Sequence, residues 1–255
     1  MGIDECVNLP KDYQGQADLT GQCVLITGAS GGVGTHVSQT LARCGAKVIL
    51  LGRNVPALER CYDDITSNCG DNAAIYPLDL EGATPKDYAS LANAVQSEYG
   101  GLNALVHCAN QAPKLRPFGQ MPTLEWYRQF QVAVHGPMML TQALWPLLQE
   151  ARPASVVFSV DDLEETSGAY WLSYGASQWT LRGMLRMLAA EGQNSAIRVL
   201  GLNPGPRRTA LRGELFAGEA PGDAADPAAA AVGYLYLLDR AGNLASGAIL
   251  RLVPV

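Results

Sequence analysis

Hydrophobic and polar positions alternate along the chain with two different periods. Short, nearly continuous apolar runs at residues 23–27 and 47–51 predict buried strands. Between them, from residue 32 to residue 43, apolar positions recur at helical spacing, and Gly45 follows where a C-terminal cap would stand. The pattern therefore predicts a strand, a helix and a second strand in succession.

The same alternation continues towards the C-terminus. Further strands are predicted at 73–78, 104–108, 155–160, 197–202 and 248–253, and further helices at 56–67, up to residue 99, at 123–149 and at 171–191. Apolar strands that are each followed by a helix need a parallel sheet covered on both faces. The predicted fold class is α/β, a doubly wound parallel sheet of Rossmann type. We expect one domain over residues 19–255, a polar N-terminal extension over residues 1–18, and a mobile flap over the Gly-, Ala- and acid-rich residues 213–225.

Composition narrows the classes of function. The 255 residues are 48% hydrophobic and 16% charged, which is too apolar for a disordered chain. A net charge of −6 without a basic stripe argues against binding to nucleic acid. No apolar run approaches the roughly 20 residues of a membrane helix, and no secretory signal is visible. The six cysteines form no CxxC pair, which favours free thiols in the cytoplasm over disulfides or a metal site.

A glycine-rich turn lies between the first predicted strand and the first predicted helix, where residues 27–34 read T-G-A-S-G-G-V-G. Glycines let the backbone approach a pyrophosphate, whose charge is favoured at a helix N-terminus. An ordinary glycine-rich loop is the alternative interpretation. The strand before the turn and the helix after it favour dinucleotide binding.

The end of the second predicted strand indicates which dinucleotide is bound. Residues 50–54 read L-L-G-R-N, without the carboxylate that binds the ribose hydroxyls of NAD. Arg53 can pair bidentately with a 2′-phosphate, so NADP(H) is favoured over NAD(H), with Ser30 and Asn54 as helpers. Alternatively, Arg53 is a solvated residue at a strand end. Asp79 is placed either to accept a hydrogen bond from the adenine amino group or to cap the next segment.

From about residue 19 to residue 253, the chain resembles the short-chain dehydrogenase/reductase family. The motifs that carry the resemblance are the glycine turn at 27–34, Leu-Asp-Leu at 78–80, Tyr-Gly-Ala-Ser at 174–177, and Asn-Pro-Gly at 203–205 with a threonine at 209. The resemblance implies hydride transfer between NADP(H) and a carbonyl or alcohol, in a dimer or tetramer built on the helices at 123–149 and 171–191. The cofactor-binding residues that it implies are Gly28, Ser30, Gly32, Val33, Gly34, Arg53, Asn54, Asp79, Leu80, Ala109, Tyr174, Gln178, Pro204, Gly205 and Thr209.

The catalytic positions depart from the pattern of the family, which uses a Tyr, a Lys, a Ser and an Asn. Tyr174 matches the Tyr, but Gln178 stands in place of the Lys, Asp161 in place of the Ser and Ala133 in place of the Asn; the family's N-N-A-G stretch is also altered, to H-C-A-N at residues 107–110. Gln178 has no charge with which to stabilise a tyrosinate. An ionised Asp161 would repel the charge that develops on a carbonyl oxygen during reduction, and it would help only if protonated. We therefore expect typical carbonyl turnover to be severely impaired.

Three questions stay open at the level of sequence. Ser159, Ser173 or Tyr170 could substitute for the missing catalytic groups. The chain could be an oxidoreductase acting on an unidentified small molecule, or a catalytically inactive NADP(H)-binding sensor or partner subunit of an active relative. The four carboxylates at residues 161–165 could form a solvated loop, a site for a cationic group, or an ionic latch to Arg207 and Arg208.

Overall fold

The computed structural model describes residues 6–220, 222–239 and 244–252. Its strands are β1 (Cys6–Asn8), β2 (Cys23–Thr27), β3 (Lys47–Gly52), β4 (Ala73–Pro77), β5 (Ala104–His107), β6 (Ala154–Ser159), β7 (Ile197–Asn203) and β8 (Ile249–Arg251). They form one sheet in the order β1-β8-β7-β6-β5-β2-β3-β4, and every neighbouring pair in it is parallel. The predicted doubly wound α/β fold in a single domain is confirmed.

Helices cover both faces of the sheet. They are α1 (Gly32–Arg43), α2 (Val55–Cys69), α3 (Pro85–Tyr99), α4 (Thr123–Phe130), α5 (Gly136–Ala151), α6 (Leu163–Thr166), α7 (Leu172–Glu191), α8 (Ala210–Leu215) and α9 (Ala231–Leu238). Buried residues of α1, α2 and α9 pack on one face of the sheet, and those of α3, α5 and α7 pack on the other. This two-sided burial explains why the strands read as continuous apolar runs.

The helix predicted over residues 123–149 is present, but it is not α-helical throughout. It is divided into α4 and α5 by a π-helical turn at Gln131–His135. In that turn the amide of Gly136 donates to the carbonyl of Gln131, five residues back. The next residue, Pro137, has no amide hydrogen, so the regular α-helical bond cannot form at this step. The predicted catalytic-helix position, Ala133, lies inside this turn.

The segment predicted as a polar extension also contributes to the sheet. Its residues 6–8 form β1, which pairs in parallel with β8 at one edge. The pattern of residues did not predict this three-residue strand, because two of its residues are exposed and carry no signal of burial. The other end of the predicted last strand, Val253, lies outside the described residues.

The order of the strands determines where a ligand can bind. From β2 the chain proceeds to β3 and β4 on one side, and it then returns to β5 on the other side of β2. Connections leave β2 and β5 in opposite directions, which opens a crevice at the carboxyl ends of these two strands. All six cysteines are free thiols. Within the described residues, every helix is too short or too polar to cross a membrane.

Candidate functional site

A cleft of about 340 Å³ opens at the carboxyl ends of the central strands. Every residue that the sequence assigned to the cofactor or to catalysis lines it. These are Gly28, Ser30, Gly32, Val33, Gly34, Arg53, Asn54, Asp79, Leu80, Ala109, Asp161, Tyr174, Gln178, Pro204, Gly205 and Thr209. The fold thus brings together residues that are far apart in the chain: Gly28 and Thr209 are separated by 181 positions.

The glycine turn approaches its neighbours too closely for larger residues. Gly28 has φ +64°, and a Cβ placed on it would lie 2.8 Å from the Cα of Ala109. A Cβ on Gly34 would collide with the carbonyl of Gly28, and one on Gly32 would lie 2.7 Å from a methyl group of Thr209. These contacts fix the glycines by geometry, because only a residue without Cβ fits.

The turn presents the N-terminus of α1 to the cleft. The residue that precedes this helix, Gly31, has no side chain with which to cap it, and the first turn contains no acidic residue. The first amides of a helix have no partner within the helix. Since those amides and the helix dipole favour an anion, this end of the cleft has the chemistry to hold a pyrophosphate.

Arg53 lies at the mouth of the cleft, directly after β3, and its side chain is 60% exposed. Its guanidinium is 3.9 Å from the carboxylate of Asp79 and 3.8 Å from that of Glu81. The hydroxyl of Ser30 lies 3.4 Å from the point where a Cβ on Gly52 would stand, so it flanks the same place. Exposed ion pairs of this kind are weak, so a bound phosphate can replace the carboxylates as a partner of Arg53.

Two of the predicted mouth residues also have local structural roles. The side chain of Asn54 accepts a hydrogen bond from the amide of Ala57 and caps α2. Asp79 accepts a bond from the amide of Glu81, which is the capping role considered for it. Both residues nevertheless line the cleft, so their capping bonds hold them at its edge.

The Tyr174 hydroxyl donates a hydrogen bond of 2.5 Å to the carboxylate of Asp161. Both residues line the inner part of the cleft, and Tyr174 is 1% exposed. Burial raises the pKa of the Tyr174 phenol well above its ordinary value, and the charge of Asp161 raises it further. Tyr174 is therefore a weak acid that is already bound to an acceptor.

Burial also raises the pKa of the Asp161 carboxyl, against the lowering effects of the Tyr174 hydrogen bond and of Arg212. The guanidinium of Arg182 donates to the backbone carbonyl of Asp161 at 2.6 Å. The nearby guanidinium of Arg212 is bound to both carboxylate oxygens of Glu219 at 2.7–3.0 Å. Burial and the neighbouring donors therefore act in opposite directions on the pKa of Asp161.

The side-chain amide of Gln178 forms a hydrogen bond to Asp161 through its oxygen but not through its nitrogen. Its side-chain oxygen accepts a hydrogen bond of 3.0 Å from the Asp161 backbone amide. Its Nε2 is buried and has no hydrogen-bond partner among the described residues. Gln178 lines the cleft and is 1% exposed. A buried donor without a partner costs free energy, and a hydroxyl of a bound ligand would supply the missing acceptor.

Two polar residues that the sequence analysis did not assign to the site extend the network of Tyr174. The amide of Asn110 donates to the Tyr174 hydroxyl at 3.3 Å. The amide of Gln129 donates to Asn110 at 3.3 Å and to Ser177 at 3.0 Å. Gln129 precedes Ala133 by one helical turn and is fully buried. A glutamine one helical turn before Ala133, where the family has an asparagine, is the signal in the sequence that could have identified Gln129.

None of the three residues considered as catalytic substitutes forms a hydrogen bond with the Tyr174 hydroxyl. The Ser159 hydroxyl lies 2.6 Å from that of Tyr234 and 3.4 Å from the Cys108 sulfur. Tyr170 is 59% exposed, and neither it nor Ser173 lines the cleft. Among the described residues, the hydrogen-bond partners of the Tyr174 hydroxyl are Asp161 and Asn110.

The acidic run at residues 161–165 is latched to different arginines from those predicted. Asp162 pairs with Arg251 at 2.7 Å, and Glu165 lies 3.7 Å from Arg212. The predicted partners are bound elsewhere: Arg207 donates to the carbonyl of Pro204, and Arg208 pairs with Asp226. The latch to Arg207 and Arg208 is wrong because α8 carries Arg212, one turn further along the chain, over the acidic run. The bond between Arg212 and Glu219 ties down part of the predicted flap.

The altered strand-end residue His107 lies outside the cleft. Its Nε2 is 2.9 Å from the Thr141 hydroxyl, and its ring stacks on Phe158 with centroids 4.8 Å apart. Burial lowers the pKa of His107 to about 3. It is therefore a neutral residue of the core.

Comparison with known proteins identifies close relatives of the chain. The profile of a family described as short chain dehydrogenase matches residues 22–220. The oxidoreductase YciK of Escherichia coli K12 is 36% identical over 227 residues, which cover 89% of this chain and 90% of YciK.

Solved structures of such proteins superpose on the chain. A short chain dehydrogenase from Shigella flexneri, complexed with NADP, has a TM-score of 0.88 and 33% identity, and the match covers 92% of this chain and 98% of that one. A short chain dehydrogenase from Escherichia coli CFT073, complexed with NADPH, gives the same TM-score and identity over 93% of this chain and 98% of that one. The likeness in sequence and in structure therefore extends over most of the chain.

Proposed function

The chain belongs to the short chain dehydrogenase family, and on this premise we propose that it is an NADP(H)-dependent oxidoreductase whose turnover of typical carbonyl substrates is severely impaired. The cofactor part of the proposal is supported by the glycine turn, the uncapped start of α1 and the buried Nε2 of Gln178. Two solved relatives carry NADP or NADPH. The observation that carries most of the impairment is the hydrogen bond from Tyr174 to Asp161.

The residues present fit a dinucleotide with a 2′-phosphate. The turn Gly28–Gly34 would hold the pyrophosphate, and Arg53 with Ser30 and Asn54 would hold the 2′-phosphate. Gln178 would donate its free amide hydrogen to a ribose hydroxyl. When bound, the cofactor supplies or accepts a hydride. The residues of this chain bind it, orient the substrate and control the proton at the Tyr174 oxygen.

Reduction of a carbonyl requires a proton donor and a stabilised oxyanion. Tyr174 gives its hydrogen bond to Asp161, and its raised pKa makes it a poor acid. The Asp161 carboxylate, when ionised, repels the negative charge that develops on the substrate oxygen. Gln178 provides no cation to offset either effect. These three features together support a low rate with ordinary aldehydes and ketones.

The same observation favours a second candidate function, that of an inactive NADP(H)-binding sensor or partner subunit. A tyrosine that is already bound to an internal acceptor does not need a substrate to satisfy it. Exposed apolar side chains on the helices expected to form a dimer or tetramer include Leu124, Tyr127 and Met187. We propose that these helices pair with a second copy or with an active relative, which light scattering of the purified chain, alone and mixed with that relative, would reveal.

Equilibrium binding of NADPH and NADH to the purified chain tests the cofactor part without knowledge of the substrate. We expect NADPH to bind more tightly than NADH, because Arg53 contributes a charge-assisted bond to the 2′-phosphate. The Arg53→Ala variant should lose about tenfold or more in NADPH affinity and little in NADH affinity. Arg43→Ala, at the far end of α1, is the matched control. Failure to bind either nucleotide, or equal loss for both in Arg53→Ala, would contradict the proposal.

The impairment is tested by Tyr174→Phe in a steady-state assay of NADPH oxidation with a panel of aldehydes and ketones. If the tyrosine is not a functional acid, removal of its hydroxyl should change the low wild-type rate by less than about threefold. A loss of 10²-fold or more would mean that Tyr174 still donates a proton effectively. That outcome would remove the impairment from the proposal while the binding result would still stand.

A further inference from the structure

A carboxylate lies in the cleft next to Tyr174. Asp161 lines the cleft beside Tyr174 and Gln178, at the position where the proposed hydride transfer takes place. Among the described residues, the hydrogen-bond partner of the Asp161 carboxylate is the Tyr174 hydroxyl. Arg182 binds the backbone carbonyl of Asp161, and Arg212 is bound to Glu219. These contacts do not involve the carboxylate oxygens, so the remaining acceptor positions of the carboxylate face the cleft. Burial raises the pKa of Asp161, and the charges of Arg212 and Arg182 both act to lower it.

A carboxylate that lines a cleft discriminates between substrates by the charge of the reacting group. During reduction of a carbonyl, negative charge grows on oxygen, and a nearby carboxylate opposes it. During reduction of a protonated C=N bond, the reacting group is cationic, and the same carboxylate attracts it. A carboxylate also raises the proton affinity of a bound imine, so that the nitrogen is protonated when the hydride arrives.

We propose that the substrate of this cleft reacts at nitrogen, as a protonated imine or, in the reverse direction, as an amine, and that Asp161 and Tyr174 bind that nitrogen. This inference rests on the proposed NADP(H) function and names the substrate class of the same site. The unpartnered Nε2 of Gln178, which would bind a ribose hydroxyl of the cofactor, supports a position of the reacting end of the cofactor beside Asp161.

The chemical balance is simple. The carbon of the C=N bond gains a hydride, with its two electrons, from the reduced nicotinamide, which is thereby oxidised. The π electron pair of the C=N bond becomes the lone pair of the nitrogen, and the nitrogen keeps its proton. The product is an amine, which leaves as a cation after it takes a second proton from solvent or from the Tyr174–Asp161 pair.

The surroundings of the pair suit an apolar body attached to the nitrogen. Val132, Leu215 and Phe216 line the same cleft. Trp171 packs against both Tyr174 and Phe216, with ring centroids 5.9 and 5.1 Å apart. The substrate class is thus a hydrophobic amine and its imine.

Binding measured without turnover tests the inference. The full chain saturated with NADPH is titrated by calorimetry with phenylpyrrolidine, which is a cation at neutral pH, and with phenylcyclopentanol, which has a similar frame and is neutral. Neither can react, because cofactor and ligand are both reduced. We expect the amine to bind at least tenfold more tightly, and Asp161→Asn to lose about tenfold for the amine and little for the alcohol.

Two controls separate this inference from the proposed function. Glu164→Gln neutralises an exposed carboxylate of the same acidic run and should change amine affinity by less than about twofold. NADPH affinity, measured for each variant, shows whether the cofactor site is intact. In turnover assays, phenylpyrroline should be reduced faster than phenylcyclopentanone by the wild type, and this preference should disappear in Asp161→Asn.

Several results would overturn the inference. It fails if the amine and the alcohol bind equally, if Asp161→Asn keeps the preference, or if neither ligand binds while NADPH does. In those cases the proposed cofactor function stands alone. If NADPH itself does not bind, the proposed function fails first, and the inference that rests on it fails with it.

Discussion

The glycine turn and the Tyr174–Asp161 pair lie in one cleft, yet they depend on the sequence in different ways. The turn is built from backbone: Gly28 has a positive φ, and a Cβ on Gly32 or Gly34 would collide with a neighbour. The pair is built from side chains that project from a loop and a helix. Asp161 and Tyr174 could therefore be replaced by other residues without moving that backbone. Geometry therefore constrains the first region, whereas only chemistry constrains the second. A chain of this fold can keep its nucleotide site and change its reaction.

Reversion of the catalytic positions is expected to give the largest effect. The triple variant Asp161→Ser, Gln178→Lys, Ala133→Asn restores a small hydroxyl, a cation and a polar group of the helix. Each stabilising group is worth about 10²–10³ in rate, although such effects do not simply add. We expect kcat for carbonyl reduction to rise by at least about 10²-fold in a steady-state assay of NADPH oxidation.

The contrast between the two regions sharpens this test, because NADPH affinity should change by less than about tenfold in the same variant. Tyr174→Phe in the triple background is the control, and it should abolish the gain. If the wild type already equals the triple variant with a range of carbonyl substrates, the impairment is wrong.

The triple variant should change kcat and leave NADPH affinity nearly unchanged. A substitution in the glycine turn should instead lower NADPH affinity. In Gly28→Ala, the new methyl group meets the backbone of Ala109 at 2.8 Å in a residue with φ +64°. Strain of this kind costs about 1–3 kcal/mol, so we expect NADPH affinity to fall by about tenfold to a hundredfold. Fluorescence titration with NADPH measures it.

Gly119→Ala is the matched control, since a Cβ there has no neighbour within 4 Å. It should bind NADPH as the wild type does. If Gly28→Ala also bound normally, the close contact between the turn and Ala109 would not matter for the nucleotide, and the geometric argument would fail.

The sequence predicted well the elements in which the spacing of apolar residues indicates which side chains are buried. The strands β2 to β7 and the glycine turn follow from apolar runs and from the positions at strand ends, whereas much of the lining of the cleft follows from the resemblance to the family. Contacts between side chains of distant segments were predicted less well. One alternative for the acidic run was an ionic latch to Arg207 and Arg208, but the run meets Arg212 and Arg251 instead. Such pairing depends on how a loop and a short helix lie over each other, which no local period encodes.

The hydrogen-bond network of Tyr174 shows the same limit. Gln129 lies in the last turn of α4, just before the π-helical turn, and nothing in the polarity of the helix indicated that turn. Proline at 137 supplies the physical reason after the fact, since it removes one helical donor. Asn110 was noticed only as part of an altered stretch, although it donates directly to the Tyr174 hydroxyl.

The smallest expected effect concerns stability and distinguishes the two regions once more. Burial raises the pKa of Asp161 in the folded chain above its ordinary value of 3.8, so the folded state binds this proton more tightly than the unfolded state does. The stabilisation that this gives is complete at pH values below the ordinary pKa and is lost as the pH rises through the raised pKa of the folded state.

Asp161→Asn removes the ionisable group but keeps an oxygen for the Tyr174 hydroxyl. At pH 7 we therefore expect it to be more stable than the wild type by about 1 kcal/mol, or about 2–4 °C in Tm. The difference should vanish in acid, with Glu164→Gln following the wild type throughout. A variant less stable than the wild type at pH 7 would show that the charged carboxylate stabilises the fold, and that the cleft compensates for its burial.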